Sequence, residues 1–272
     1  MRIRAKLARA LGLPRTTSYH QPKLKSDDAL LADIKQVMIN NPAYGHKRIA
    51  MELKVGKNRI KRVMKANGLK PKLLRKTWKA VNSPAKDEPK RVNLIAEIKA
   101  ESPGHIWVSD FTYLLFQGKW YYLATVVDIY TRRIVGWQLG ARHTAILIHQ
   151  AVCEALSREL PPAYFHSDQG SEYTAEATIR LLESAGAEVS FSDKGSPWQN
   201  GFQESLYQNF KLELGNLNRY QDLSELYEAI AMQVYYYNHK RIHTALKTSP
   251  MNYYQQYLKT ESPRPSVEKV GT

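Results

Sequence analysis

Near residue 105 the spacing of apolar residues in this chain changes from three-and-four to alternation. Upstream, Leu30, Leu31, Ile34, Val37 and Met38 recur at helical intervals, and the run stops at Asn40-Asn41-Pro42. Ile49, Ala50 and Leu53, then Ile60, Val63 and Met64, form two further apolar stripes separated by Val55-Gly56. Downstream, 106–116 and 119–129 are rich in β-branched and aromatic residues and are divided by Gln117-Gly118, with 133–139 as a third such run. These three predict an antiparallel meander. Helical spacing then returns at 144–159, a short strand fits 163–166, and 175–184, 188–191 and 199–214 read as helix, strand and long helix. The order β-β-β-α-β-α-β-α predicts an α/β domain with a mixed sheet flanked by helices, preceded by a small all-α unit.

Charge divides the chain at the same place. Residues 1–99 carry 25 Lys or Arg against 7 Asp or Glu, whereas 100–272 carry 15 against 18, within a total of +15. A basic leading third ahead of a nearly neutral remainder predicts one part that grips a polyanion and another that acts on it. The three short helices, the glycine between the last two and the basic final helix fit a helix-turn-helix over 1–72. Its candidate DNA contacts are Lys47, Arg48, Lys57, Asn58, Arg59, Lys61 and Arg62. A small helical bundle with a solvated basic face is the competing reading of the same pattern. Residues 73–103, with Lys, Arg, Pro and Ser and a short helical run near 92–98, read as a basic linker closed by Pro103-Gly104. The core is placed at 104–255, including a C-terminal helical segment, and a tail at 256–272.

No apolar run approaches the roughly 18 residues of a membrane span, so no membrane partner is expected. The single cysteine, Cys153, excludes an internal disulfide and offers no zinc cluster. A cytoplasmic chain, nucleoid-associated when on DNA, is the simplest expectation.

Three acids stand where chemistry is usually placed. Asp110 interrupts the apolar run WVSDFTYL, Asp168 follows YFHS and precedes a glycine turn, and Glu204 opens a helix in PWQNGFQES. Each has a bland explanation alone, as a satisfied polar group, a turn former or a solvated helix residue. Together they are more specific, because 35 residues separate Asp168 from Glu204. This spacing resembles the D,D(35)E core of retroviral integrases and bacterial insertion-sequence transposases. HSDQGSEY, SPWQNGFQES and YNHKRIHTALKTSP, together with VVDIYTRRIVGW and YGHKRIAMEL, are similar to the OrfB-type transposases of insertion sequences and extend the resemblance over almost the whole chain. The resemblance implies a ribonuclease-H-like fold and makes Asp110, Asp168 and Glu204 the catalytic metal ligands, with no organic cofactor. Hard carboxylate oxygens suit Mg²⁺, with Mn²⁺ as a substitute, and two ions about 3.5–4 Å apart serve in-line phosphodiester displacement. The implied reaction is hydrolytic release of a 3′-OH at an element end, then attack by that 3′-OH on another phosphodiester. Implied partners are duplex DNA (terminal inverted repeats and target), further copies of the chain as a homo-oligomer on DNA, and an upstream-reading-frame product or fusion.

Other residues have competing roles. Asp128 and Asp193 stand near strand ends, with turn chemistry, or for Asp128 an arginine partner, as the simpler account. Glu172 reads as a first-turn helix residue. Asn200, Gln208 and Lys211 share a helix face with Glu204, making Asn200 and Lys211 candidate DNA contacts. His166 fits either the metal surroundings or packing, Trp107 fits the core, and 194–197 reads as a loop ordered by substrate. In the C-terminal motif Arg241 is a candidate phosphate contact, and Tyr237, Asn238 and His243 have no defined role. Ser167, Ser171 or a tyrosine as nucleophile lacks a recombinase arrangement of Arg, His and Tyr. A structure-selective nuclease and an inactive helix-turn-helix regulator remain the alternatives.

Overall fold

The computed structural model describes residues 27–72, 93–170, 172–192 and 201–261, together with Ala10 and Gly12. The leading helices are α1 (Asp28–Asn40), α2 (His46–Glu52) and α3 (Lys57–Ala66). Leu30, Ile34, Tyr44, Ile49, Ala50, Ile60, Val63 and Met64 close a small core between them. The end of α3 shows why Asn67-Gly68 follows it. Gly68 turns left-handed at φ +64°, its N–H reaches the Lys65 carbonyl at 3.3 Å, and Leu69 N–H reaches that of Met64 at 2.9 Å. That pair of bonds satisfies carbonyls the helix would leave open, and a Cβ would oppose the turn.

The sheet has strands β1 (Ile106–Phe116), β2 (Lys119–Asp128), β3 (Ile134–Gly140), β4 (Tyr164–Ser167) and β5 (Glu188–Phe191) in the order β3-β2-β1-β4-β5. β1, β2 and β3 form the expected antiparallel meander, while β4 joins β1, and β5 joins β4, in parallel. Helices α4 (Ala145–Arg158) and α5 (Glu176–Ser184) follow β3 and β4; α6 (Gly201–Leu214), α7 (Leu223–His239) and α8 (Pro250–Glu261) follow β5.

Alternation along the strands feeds two cores. Ile106, Val108, Leu114 and Phe116 of β1 face Leu206, Phe210, Leu226 and Ile230 of α6 and α7. Trp107, with Ala124 and Val126 of β2, faces Ile148, Ala151 and Val152 of α4. Each fully buried large apolar side chain contributes about 1.5–3 kcal/mol by leaving water. Gly136 of β3 is fixed by contact, since a Cβ there would lie 2.3 Å from the Ala151 carbonyl oxygen.

Two expectations are corrected. Residues 94–97 form a turn, with Ile98 N–H on the Ile95 carbonyl, instead of a helix. α8 continues to Glu261 across the expected boundary at 255, held by Tyr253 and Tyr257 against Tyr130 and by Tyr254 under the Arg133 guanidinium. The helical unit also meets the C-terminal segment. Asn41 accepts from the Tyr236 hydroxyl, the Tyr44 hydroxyl accepts from Ile242 N–H at 2.6 Å, and Ile242 packs on the small core.

Candidate active site

The carboxylates gather where β4 ends beside the middle of β1. The last parallel pair there is Val108↔His166, so Asp110 and Asp168 each lie two residues further along neighbouring strands. Glu204 comes from the first turn of α6, which is pinned to the same stretch of β1. Gln203 Nε2 donates to the Val108 carbonyl at 3.1 Å. The Tyr207 hydroxyl donates to the Asp110 carbonyl and lies 2.8 Å from Thr125 Oγ1. Residues one before and three after Glu204 thus clamp its helix to the strand that carries Asp110.

Asp110 is partly open to solvent, and among the described residues its carboxyl has one hydrogen-bond donor, Phe111 N–H at 2.8 Å. Burial pushes its pKa up to about 7; the Phe111 bond opposes this, and Asp168, Glu204 and Glu172 add to it. Asp168 takes Gly170 N–H at 3.0 Å, yet burial and then Glu172 still raise its pKa. Asp110, Asp168, Glu172 and Glu204 therefore share one field of negative charge. Among the described residues no three His, Cys, Asp or Glu side chains are already closed into a metal-chelating group.

Glu172 was expected in the first turn of a helix. The structure places it in a turn before α5, which begins at Glu176. A Cβ on Gly170 would come within 2.9 Å of Glu172 Oε1 and 3.1 Å of Asp168 Oδ1, so that glycine sits against both carboxylates. Glu172 Oε1 also lies 2.7 Å from His143 Nε2, and the His143 ring is 3.7 Å from that of Phe111. His143 was not singled out from sequence. A His in the loop before α4 has no periodic signature linking it to the acids.

The other candidates separate by environment. Asp128 is sealed, its carboxylate accepting from Gly104 N–H and from Thr131 N–H and Oγ1 at 2.6 and 2.8 Å. His166 is buried with Nδ1 2.9 Å from Ser190 Oγ, and Trp107 is core. Asp193, the segment 194–197, Asn200 and Ser171 lie outside the described residues.

Lys47, Lys57, Asn58, Lys61 and Arg62 are exposed and Arg59 is half-exposed. Arg59 and Arg62 both pair with Asp27, at 2.7 and 2.9 Å, which lowers the carboxyl pKa through these hydrogen bonds. Arg48 is half-buried, donating to the Ala43 carbonyl at 3.4 Å. Lys211 is also half-buried, and burial lowers its pKa.

Arg241 does not present itself to DNA. It is 2% exposed, and its Nε donates to both Glu213 oxygens, at 2.8 and 3.0 Å. A buried guanidinium requires such a partner, and Glu213 at the end of α6 supplies it. Burial, with Arg132, Arg241 and Arg48 nearby, brings His243 down to about 4. Tyr237 is buried and Asn238 brackets Ile134, its Oδ1 accepting from N–H and its Nδ2 donating to the carbonyl, each at 2.9 Å. The C-terminal motif therefore closes the core and meets the helical unit.

Residues 100–197 and 185–250 match two families, each described as an integrase core domain. The transposase for insertion sequence element IS904 of Lactococcus lactis subsp. lactis (strain IL1403) is 34% identical over 171 residues, 61% of this chain and 68% of the relative. The 31 kDa protein of insertion element IS600 of Shigella sonnei is 32% identical over 268 residues, 92% of this chain and 98% of the relative. Among solved structures, a chain of the simian T-cell lymphotropic virus intasome, in complex with PP2A regulatory subunit B56 gamma, superposes with a TM-score of 0.53 at 16% identity. That match covers 88% of this chain and 80% of the other, and it establishes likeness of fold.

Proposed function

From the premise that the chain belongs to the insertion-sequence transposases with an integrase core, we propose that Asp110, Asp168 and Glu204 are its catalytic carboxylates. The observation that carries this reading is Asp110, raised to about 7 by burial and by three neighbouring acids, with a single hydrogen-bond donor among the described residues. The acids crowd one another, and an all-oxygen donor set fits Mg²⁺ or Mn²⁺. Two divalent ions, when bound, would supply activation of the attacking oxygen and charge stabilisation of the leaving one.

The chain's own residues set the positions. β1 and β4 hold Asp110 and Asp168 side by side, and Gln203 and Tyr207 fix the helix that delivers Glu204. Glu172, oriented by His143, adds negative charge beside Asp168 and favours cation capture. The reaction then runs as 3′-strand cleavage at an element end followed by strand transfer, with no covalent protein–DNA link. The exposed Lys47, Lys57, Asn58 and Lys61 of the helical unit are the proposed contacts to duplex DNA, and bringing two ends together calls for more than one copy of the chain.

The test is a Mg²⁺-dependent cleavage and joining assay on labelled element-end duplexes, comparing wild type with Asp168→Asn. Cuts bearing 3′-OH and joined products, both lost in the variant, are the expected result. Cutting without joining points to a nuclease. DNA binding without cutting in Mg²⁺ or Mn²⁺, even with the upstream-frame product added, overturns the catalytic assignment.

A further inference from the structure

The β1–β2 hairpin continues past Asp110 as a row of aromatic rings. Phe111, Tyr113 and Leu115 share one sheet face with Tyr122 and Trp120, through the pairs Tyr113↔Tyr122 and Leu115↔Trp120. Near Asp110 this face lies under α4. Further out it is uncovered, with Tyr113 and Leu115 each 49% exposed and Trp120 56%. The rings touch in sequence. His143 lies 3.7 Å from Phe111 and stacks at 5.4 Å on Tyr122, Tyr122 meets Tyr113 at 5.3 Å, and Tyr113 meets Trp120 at 6.3 Å.

We propose that this face stacks unpaired nucleobases of the DNA strand that passes the carboxylate site. The proposal rests on the reading of that site as the place of strand cleavage. Continuity supports it first. The row begins at Phe111, whose N–H holds Asp110, and burial together with Tyr122, Glu172, Asp110 and Asp168 raises the Tyr113 phenol pKa. Charge supports it next, because no acid occurs between Asp110 and Asp128, while exposed Lys119 and Arg142 flank the rings. Chemistry supports it as well. Tyr, Trp and His offer π faces with polar rims, which suit bases of any sequence. Alternate residues of a strand repeat about every 6.8 Å, close to two base steps of about 3.4 Å.

The experiment measures fluorescence anisotropy of wild type and of a Tyr113→Ser, Trp120→Ser double variant with Ca²⁺ present. Three probes are compared: a blunt duplex, the same duplex with a short oligothymidine tail, and that tail built from abasic residues. Stacking contributes about 1–3 kcal/mol per base, or roughly 5- to 150-fold in affinity. Wild type is expected to prefer the base-bearing tail over the abasic tail by at least about 5-fold, and the double variant to lose that preference while binding blunt duplex unchanged. Tyr113→Phe, which keeps the ring, retains it. Equal affinity of wild type for both tails, or a preference that survives in the double variant, overturns the proposal. So does a fall in the mass of the DNA-free protein in the double variant with tail preference intact, which would make the face a contact between copies. Asp168→Asn separates the two readings, because it abolishes cleavage and leaves tail preference. If wild type never cuts yet shows the preference, the catalytic assignment fails and the stacking face stands.

Discussion

Asp110 and Asp128 lie three ladder positions apart on paired strands, and the two regions treat a carboxylate in opposite ways. Around Asp128 the chain folds back so that Gly104 and Thr131 supply three donors to a sealed carboxylate. Around Asp110, among the described residues, one backbone N–H faces a group crowded by Asp168, Glu204 and Glu172. A carboxylate whose lone pairs are filled by the fold is structural. One pressed against other acids carries a charge that cations from outside would compensate. Burial alone does not separate the two.

The largest expected effect sharpens that contrast. Asp110→Asn or Glu204→Gln should lower strand cleavage by about a thousandfold or more, since metal ions supply several kcal/mol of charge stabilisation and each 1.36 kcal/mol is tenfold. Thermal unfolding of the metal-free protein should be unchanged or slightly raised. A lower Tm would mean that Asp110, like Asp128, is a structural acid. Next comes Asp128→Ala, which leaves Gly104 and Thr131 donors unpaired in the interior. It should cost about 2–4 kcal/mol in denaturant unfolding, with reactivity per folded molecule nearly unchanged.

Glu172→Gln is expected to weaken Mg²⁺ dependence and activity by about 10–100-fold, as loss of an outer partner does. A thousandfold loss would place Glu172 among the ligands themselves. The smallest effect is one of pH. Asp110 has a folded pKa raised to about 7, so the stability it contributes is full below its unfolded value and is lost as pH rises through about 7. Buried His243, brought down to about 4, contributes the opposite slope over nearly the same window, so the quantity to follow is a difference: the Tm of metal-free wild type minus that of Asp110→Asn should fall between about pH 4 and pH 7, with Mg²⁺ opposing the fall at the upper end. A difference that rises over this range would contradict the crowding of the four acids.

Much of this was legible in the residues because it is local or periodic. Alternation along 106–139 gave the meander, and three-and-four spacing gave the helices that cover it. Asp110, Asp168 and Glu204 stood out by spacing and by their motifs. Glu172 was misread because the turn before α5 is a matter of loop geometry, and SDQGSEY looks equally like the start of a helix. Arg241 was misread for a different reason. Its motif is basic and aromatic, and nothing nearby in sequence announces that Glu213, 28 positions earlier, waits inside to pair with it. The grip of Tyr236 on Asn41 spans 195 positions and leaves no periodic trace at either residue.

That grip has a consequence for measurement along DNA. The end of α7 and the stretch after it are clasped by Asn41, Tyr44 and the small helical core, and that stretch is also tied through Arg241 to Glu213 at the far end of the helix bearing Glu204. The distance from the basic helices to the carboxylates is then set by side-chain clasps and not by the tether between them. The molecule carries a ruler whose graduations are contacts, so lengthening the segment between Lys72 and Asn93 should leave the cut position where it is, while loosening Tyr44 or Tyr236 should blur it.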